Sequence, residues 1–263
     1  MEGEAPQAVV PTFPAAAVRR SIPPTQPVKN HQVDLAERDV RIPCKDAMPH
    51  GTLTIPCNPR GLVIFAHGSG SSRFSPRNRM VAARMHHRKL ATLVLDLLTH
   101  EEASSDWTAT LRYDIPLLAE RLESATRWVE QQDGLQNLGI GYFGASTGAA
   151  AAVAAAARLP EIRAVVSRGG RIDLAEDSID WVAAPTLLIV GEFDQGVASW
   201  NQESFKHLNC EKQILLVPGA THLFQEPKAL ELVAELAASW FEKHLPPLQQ
   251  KLPADQELDT RAA

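Results

Sequence analysis

The chain has 263 residues, a net charge of −5, and 44% hydrophobic against 22% charged residues. That balance describes one ordinary globular domain with tails and a large core. It offers no basic stripe for nucleic acid and no apolar run near the ~18 residues of a membrane span. Three scattered cysteines, Cys44, Cys57 and Cys210, form neither a disulfide framework nor a zinc pattern.

Residues 1–32 carry Pro6, Pro11, Pro14, Pro23, Pro24 and Pro27 without periodicity, which predicts a flexible leader. Its start, Met1 to Glu4, is acidic and is not followed by the apolar segment of an export signal, so a cytoplasmic location is expected. Alternation in Val40-Arg41-Ile42 and Thr52-Leu53-Thr54-Ile55 predicts an antiparallel hairpin joined through Asp46 to Gly51. Strands are then predicted at 62–66, 92–96, 138–143, 163–167, 186–190 and 213–217. They are continuously apolar, as in a parallel sheet with both faces covered. Between them, periodicity predicts helices at 76–89, 110–132, 147–159, 199–208 and 226–244. In the last helix Leu230, Val233, Ala237, Trp240 and Phe241 share one face, which packs on the sheet. Leu97 to Trp107 is a long loop at the carboxyl end of the second of these strands, and no stretch reads as an inserted cap. Residues 246–263 read as a flexible tail. The expected architecture is an α/β domain over 33–245: a mostly parallel central sheet flanked by helices, an N-terminal antiparallel hairpin and no cap domain.

Gly144-Ala145-Ser146-Thr147-Gly148 stands between a predicted strand and an alanine-rich helix. A G-x-S-x-G run in that context is a nucleophile elbow, in which a strained turn lifts the serine hydroxyl to the sheet edge. A serine hydroxyl needs a base, and the base needs an orienting acid; the chain order for such an elbow is Ser, acid, His. Asp194 lies on the turn after the 186–190 strand, and His222 on the loop after the final strand. Asp194 could instead cap the following helix, and Glu192 and Asp173 are rival acids. The oxyanion formed during acyl transfer needs backbone amides. Thr147 is expected to give one, and Ser69 the other, with Gly70 as the alternative. His67, Gly68, Gly70, Arg73 and Arg168 are expected to contact substrate. One or two of Arg73, Arg77, Arg168 and Arg171 could hold an anionic group; the competing reading is that they pin loops through ion pairs. No cofactor or metal is expected, and the expected partner is a small-molecule ester rather than nucleic acid or membrane.

Together, Ala66 to Arg73, Ser75 to Asn78, Gly144 to Gly148, Ser167 to Arg171 and Pro218 to Phe224 resemble the α/β-hydrolase superfamily, and within it the dienelactone-hydrolase-like branch of compact, capless proteins. The resemblance covers about residues 36 to 245 and implies a hydrolase. Dienelactone hydrolases proper use a cysteine nucleophile; Ser146 stands at that position, which favours a serine carboxylesterase acting on small or exposed acyl and lactone substrates. An acyltransferase with the same residues, or a non-catalytic binding protein on the same fold, are the alternatives. Some members of this branch are fused to a phosphoribosyltransferase-like domain, which a chain of this length is not expected to carry.

Overall fold

Eight strands form a single sheet in the computed structural model, which describes residues 34–246. The expected leader (1–32) and the tail from 247 onward lie outside the described residues. In chain order the strands are β1 (Leu35–Arg41), β2 (His50–Pro56), β3 (Gly61–Ala66), β4 (Leu90–Leu95), β5 (Gly139–Ala145), β6 (Ile162–Arg168), β7 (Thr186–Gly191) and β8 (Lys212–Val217). They lie in the order β1-β2-β4-β3-β5-β6-β7-β8. β1 pairs antiparallel with β2, and β2 with β4; all later pairings are parallel. β3, β4 and β7 are buried along their whole length, which explains their unbroken apolar runs. β1 is the exposed edge, and its charged residues suit a strand with one open side.

Six helices complete the domain: α1 (Pro76–His87), α2 (His100–Ser105), α3 (Ile115–Glu130), α4 (Thr147–Arg158), α5 (Gln195–His207) and α6 (Ala229–His244). α1 and α6 cover one face, where Val81, Met85, Val233 and Phe241 pack with Val63, Phe65 and Phe143. α3 and α4 cover the other, where Leu122, Val129 and Val153 pack with Ile64, Leu93 and Tyr142. From β3 the chain runs to β4 on one side and then to β5 on the other. The strand order therefore reverses at β3, and open α/β sheets place their sites beyond the carboxyl ends of strands at such a point.

The main departures from the expected elements are these. The 110–132 helix starts at Ile115, because the Asp114 side chain caps it by accepting from Leu117 N (3.0 Å) and Pro116 occupies the first turn. The loop 97–107 contains α2, opened by a reciprocal capping box between Thr99 and Glu102. A 3-10 segment over Ile172–Trp181 follows β6. α5 begins at Gln195, directly after Asp194, rather than at 199. Among the described residues no cap domain interrupts the sheet, and no helix is long and apolar enough to cross a membrane.

Candidate active site

Ser146 joins β5 to α4 with φ 50° and ψ −124°. This is a conformation that costs a residue with a Cβ about 1–3 kcal/mol and persists only where the surroundings impose it. The surroundings here are the two glycines of the motif. A Cβ on Gly144 would come 2.4 Å from Ala149 Cα, and one on Gly148 would come 2.3 Å from the Ala66 carbonyl oxygen. The alanines of α4, buried from Ala149 to Ala156, let the helix approach the sheet this closely. The amide of Ala149 donates to Ser146 O at 3.0 Å, so the serine is also the first acceptor of the helix.

The Ser146 amide donates to Arg168 O at 3.3 Å, and the next residue, Gly169, packs against the histidine. A Cβ on Gly169 would lie 3.4 Å from His222 Nδ1. Ser146 and His222 therefore flank one turn of backbone at the end of β6. His222 Nδ1–H donates to Asp194 Oδ2 at 2.6 Å. With Nδ1 as the donor, Nε2 is the ring nitrogen free to accept a proton. Asp194 occupies the N-cap position of α5, yet its side chain makes no capping bond. The rival acids are engaged elsewhere. Glu192 accepts from Gly219 N at 2.7 Å, which steadies the loop leading to His222, and Asp173 pairs with Arg171 at 2.8 Å.

On the other side of Ser146, the loop after β3 comes close enough that a Cβ on Gly68 would meet Ser146 Cβ at 2.8 Å. The Ser69 amide, expected as an oxyanion donor, donates to Thr147 Oγ1 at 2.9 Å. Ser69 and Thr147 are thus brought together beside Ser146, but the Ser69 N–H already has an acceptor. An oxyanion would have to take the place of that hydroxyl. The Thr147 side chain was not singled out from sequence; only its amide was.

A cleft of ≈ 480 Å³ opens beside the elbow, lined at the near end by Gly68, Ser69 and Thr147 and at the far wall by Leu97, Leu98 and Thr99. His67, Gly70 and Arg73 also line it. His67 uses both ring nitrogens on the backbone, however: Nδ1 donates to Gly68 O (2.8 Å) and Nε2 accepts from Leu97 N (3.3 Å). Burial keeps its pKa below the ordinary histidine value, so it is a neutral brace joining the β3 and β4 loops. Arg73 is clamped to Asp96 through Nη1 and through its own amide, both at 2.7 Å. Sequence reasoning missed Asp96, which was counted inside the 92–96 strand; β4 ends one residue earlier and leaves the carboxylate facing the cleft. Arg168 lies at the end of β6 and does not line this cleft.

This geometry can support nucleophilic acyl chemistry, with a serine held proud of the sheet, an oriented imidazole, and adjacent amides. Residues 80–252 match the dienelactone hydrolase family. Two Mycobacterium tuberculosis proteins that bear a provisional phosphoribosyl transferase name are 51% identical over 212 residues, covering 80% of this chain and 47% of each. The chain thus spans about half the length of these curated relatives. The crystal structure of a dienelactone hydrolase from Anabaena variabilis is 50% identical, with a TM-score of 0.79, and covers 82% of this chain and 100% of that one. Est1E from Butyrivibrio proteoclasticus, 17% identical with a TM-score of 0.66 over 78% of this chain and 98% of its own, shares the fold. The family match includes the elbow and the loops of Asp194 and His222, and half of the residues agree with a solved family member over that member's whole length; the chain belongs to the dienelactone hydrolase family of α/β hydrolases.

Proposed function

We propose that this protein is a serine carboxylesterase that hydrolyses small or exposed acyl esters and lactones through an acyl-enzyme on Ser146. The observation that carries this reading is the Asp194 carboxylate, which leaves the helix it could cap to hold His222 Nδ1–H at 2.6 Å. His222 Nε2 takes the proton of Ser146 Oγ as the oxygen attacks the ester carbonyl carbon. Asp194 stabilises the imidazolium, and the amides of Thr147 and Ser69 receive the oxyanion. His222 then returns the proton to the leaving alcohol. Water, activated by the same imidazole, attacks the acyl-enzyme and releases the acid. The open, capless cleft favours short acyl groups. The transferase name of the mycobacterial relatives is not carried over to a chain that spans 47% of them.

A panel of 4-nitrophenyl acetate, butyrate and octanoate tests the reading, with products analysed in the presence and absence of methanol. Short esters should be turned over to free acid, and Ser146→Ala should lower kcat by about a thousandfold or more. Acyl transfer to methanol far above its share of the solvent would make the protein an acyltransferase. Ester binding without turnover by the folded protein would overturn the enzyme reading in favour of a binding protein.

A further inference from the structure

Asn201 is fully buried in α5, on the face it shares with Val197, Ala198 and Ser204. Asparagine is a poor residue for a helix interior, and its amide is costly to bury without a full set of partners. Nδ2 donates to Gly170 O at 2.7 Å and to Val197 O at 2.8 Å. Both neighbours are carbonyl oxygens, so only the NH2 group can face them and the amide has one orientation. Oδ1 is shielded from solvent and has no hydrogen-bond partner. An apolar side chain of similar size would serve the packing of α5 better. What accounts for the residue is the group that Nδ2 reaches outside its own helix, the Gly170 carbonyl.

Gly170 belongs to the turn after β6, Arg168 to Arg171, which holds Ser146 from both sides. Arg168 O accepts the Ser146 amide at 3.3 Å, and the Arg171 amide donates to Ser146 O at 3.0 Å. Gly169, with φ 51°, leaves room for the His222 ring. Gly170 is pressed against the start of α4, where a Cβ would collide with Ser167 Oγ and Ala149 Cβ. The other end of the link is equally defined. α5 starts directly after Asp194, and the Ala198 amide donates to Asp194 O at 2.8 Å. One side chain thus ties the helix that begins at Asp194 to the turn that embraces Ser146 and abuts His222. We propose that Asn201 is a positioning residue, which holds the Arg168–Arg171 turn, and through it Ser146 and His222, at a fixed distance from Asp194. The role rests on the esterase reading, because it requires those three side chains to react together. A displacement of about 1 Å at a reacting group can cost about a hundredfold in rate, which is the scale on which such a tie acts.

The test compares two substitutions. Asn201→Leu keeps the burial and loses both bonds. Asn201→Ser keeps a donor for Val197 O, the i−4 bond of helical serines, but its side chain is one bond shorter and cannot span to Gly170. Ser204→Ala, a change at another buried polar residue on the same face, is the control. Each variant is assayed on 4-nitrophenyl butyrate and for its rate of labelling by a fluorophosphonate, per folded molecule as measured by circular dichroism. Both Asn201 variants should lower kcat about thirtyfold and slow labelling in parallel, with KM within about threefold. Ser204→Ala should stay within about twofold in all three. Unchanged kcat and labelling in folded Asn201 variants, whatever their thermal midpoints, would reduce the residue to a core brace and overturn the proposal. A rise in KM with kcat unchanged would overturn it as well. If Asn201→Leu fails to fold, Asn201→Ser decides by the same three readouts. Turnover by the wild type with indifferent Asn201 variants removes the positioning role and leaves the esterase reading standing. A wild type that neither turns over the ester nor takes the label sinks the esterase reading, and the positioning role with it.

Discussion

Asp194 stands at the N-cap of α5 and leaves the helix uncapped, its carboxylate accepting instead from His222 Nδ1–H at 2.6 Å. A side chain withheld from local capping is oriented by a tertiary demand. Asp194→Asn keeps the size and the cap preference but favours the wrong histidine tautomer. It should lower kcat by about three to four orders of magnitude with little change in KM or in the thermal midpoint. Steady-state kinetics beside a melting curve checks this, and an unchanged kcat would remove Asp194 from the mechanism.

Gly148 offers a test of the elbow that does not touch its chemistry. An added methyl would collide with the carbonyls of Ala66 and His67, at 2.3 and 2.5 Å. Both obstacles are backbone and cannot swing aside. Gly148→Ala should cost about 3 kcal/mol or more, visible as a lower urea midpoint and lost activity. A stable, active variant would mean that the loop after β3 does not lie against α4 as described.

The bond from Ser69 N to Thr147 Oγ1 joins the two proposed oxyanion donors through a hydroxyl. Thr147→Val keeps the shape and removes the acceptor, leaving the half-buried Ser69 N–H without its protein partner at a cost of about 0.5–1.5 kcal/mol. Thr147→Ser should retain most of the stability. Urea unfolding of the two variants gives the comparison; equal midpoints would show that the bond contributes nothing.

His86 is buried in α1 with Nε2 2.8 Å from Thr92 Oγ1, and burial, aided by the charge of His87, lowers its pKa from 6.5 to about 4. Between those values the unfolded chain binds a proton that the folded chain refuses. This contribution is therefore intact above the ordinary histidine value and falls as pH drops through 6.5 toward 4. The loss is roughly 1–3 kcal/mol from this group. His86→Gln should reduce the stability difference between about pH 7.5 and 4.5, measured by urea unfolding. Parallel pH dependence in variant and wild type would contradict the assignment.

Much of this was legible because the central strands are short apolar runs with turn signals at their ends. Ser146, Asp194 and His222 could each be placed at a strand's carboxyl end by chain order alone, and Asp194 and His222 meet in the structure. What remained hidden depended on partners far apart in sequence. The tautomer of His67 is set by Leu97, and the neutralisation of Arg73 by Asp96, 23 residues away. No local pattern says which arginine an acid will neutralise. Other misses were local and readable. Thr99 with Glu102 is a capping-box signature, and Asp114 before Pro116 marks a helix start, but the apolar periodicity of 110–132 ran across it. Gly196 in the first turn of α5 masked the true beginning of that helix.

The central claim is that Ser146 is an activated nucleophile, and intact-mass analysis after treatment with a fluorophosphonate tests it most directly. The account predicts one adduct on the wild type, none on Ser146→Ala, and much slower labelling of His222→Ala. No adduct on folded wild type, or an equal adduct on Ser146→Ala, would contradict it.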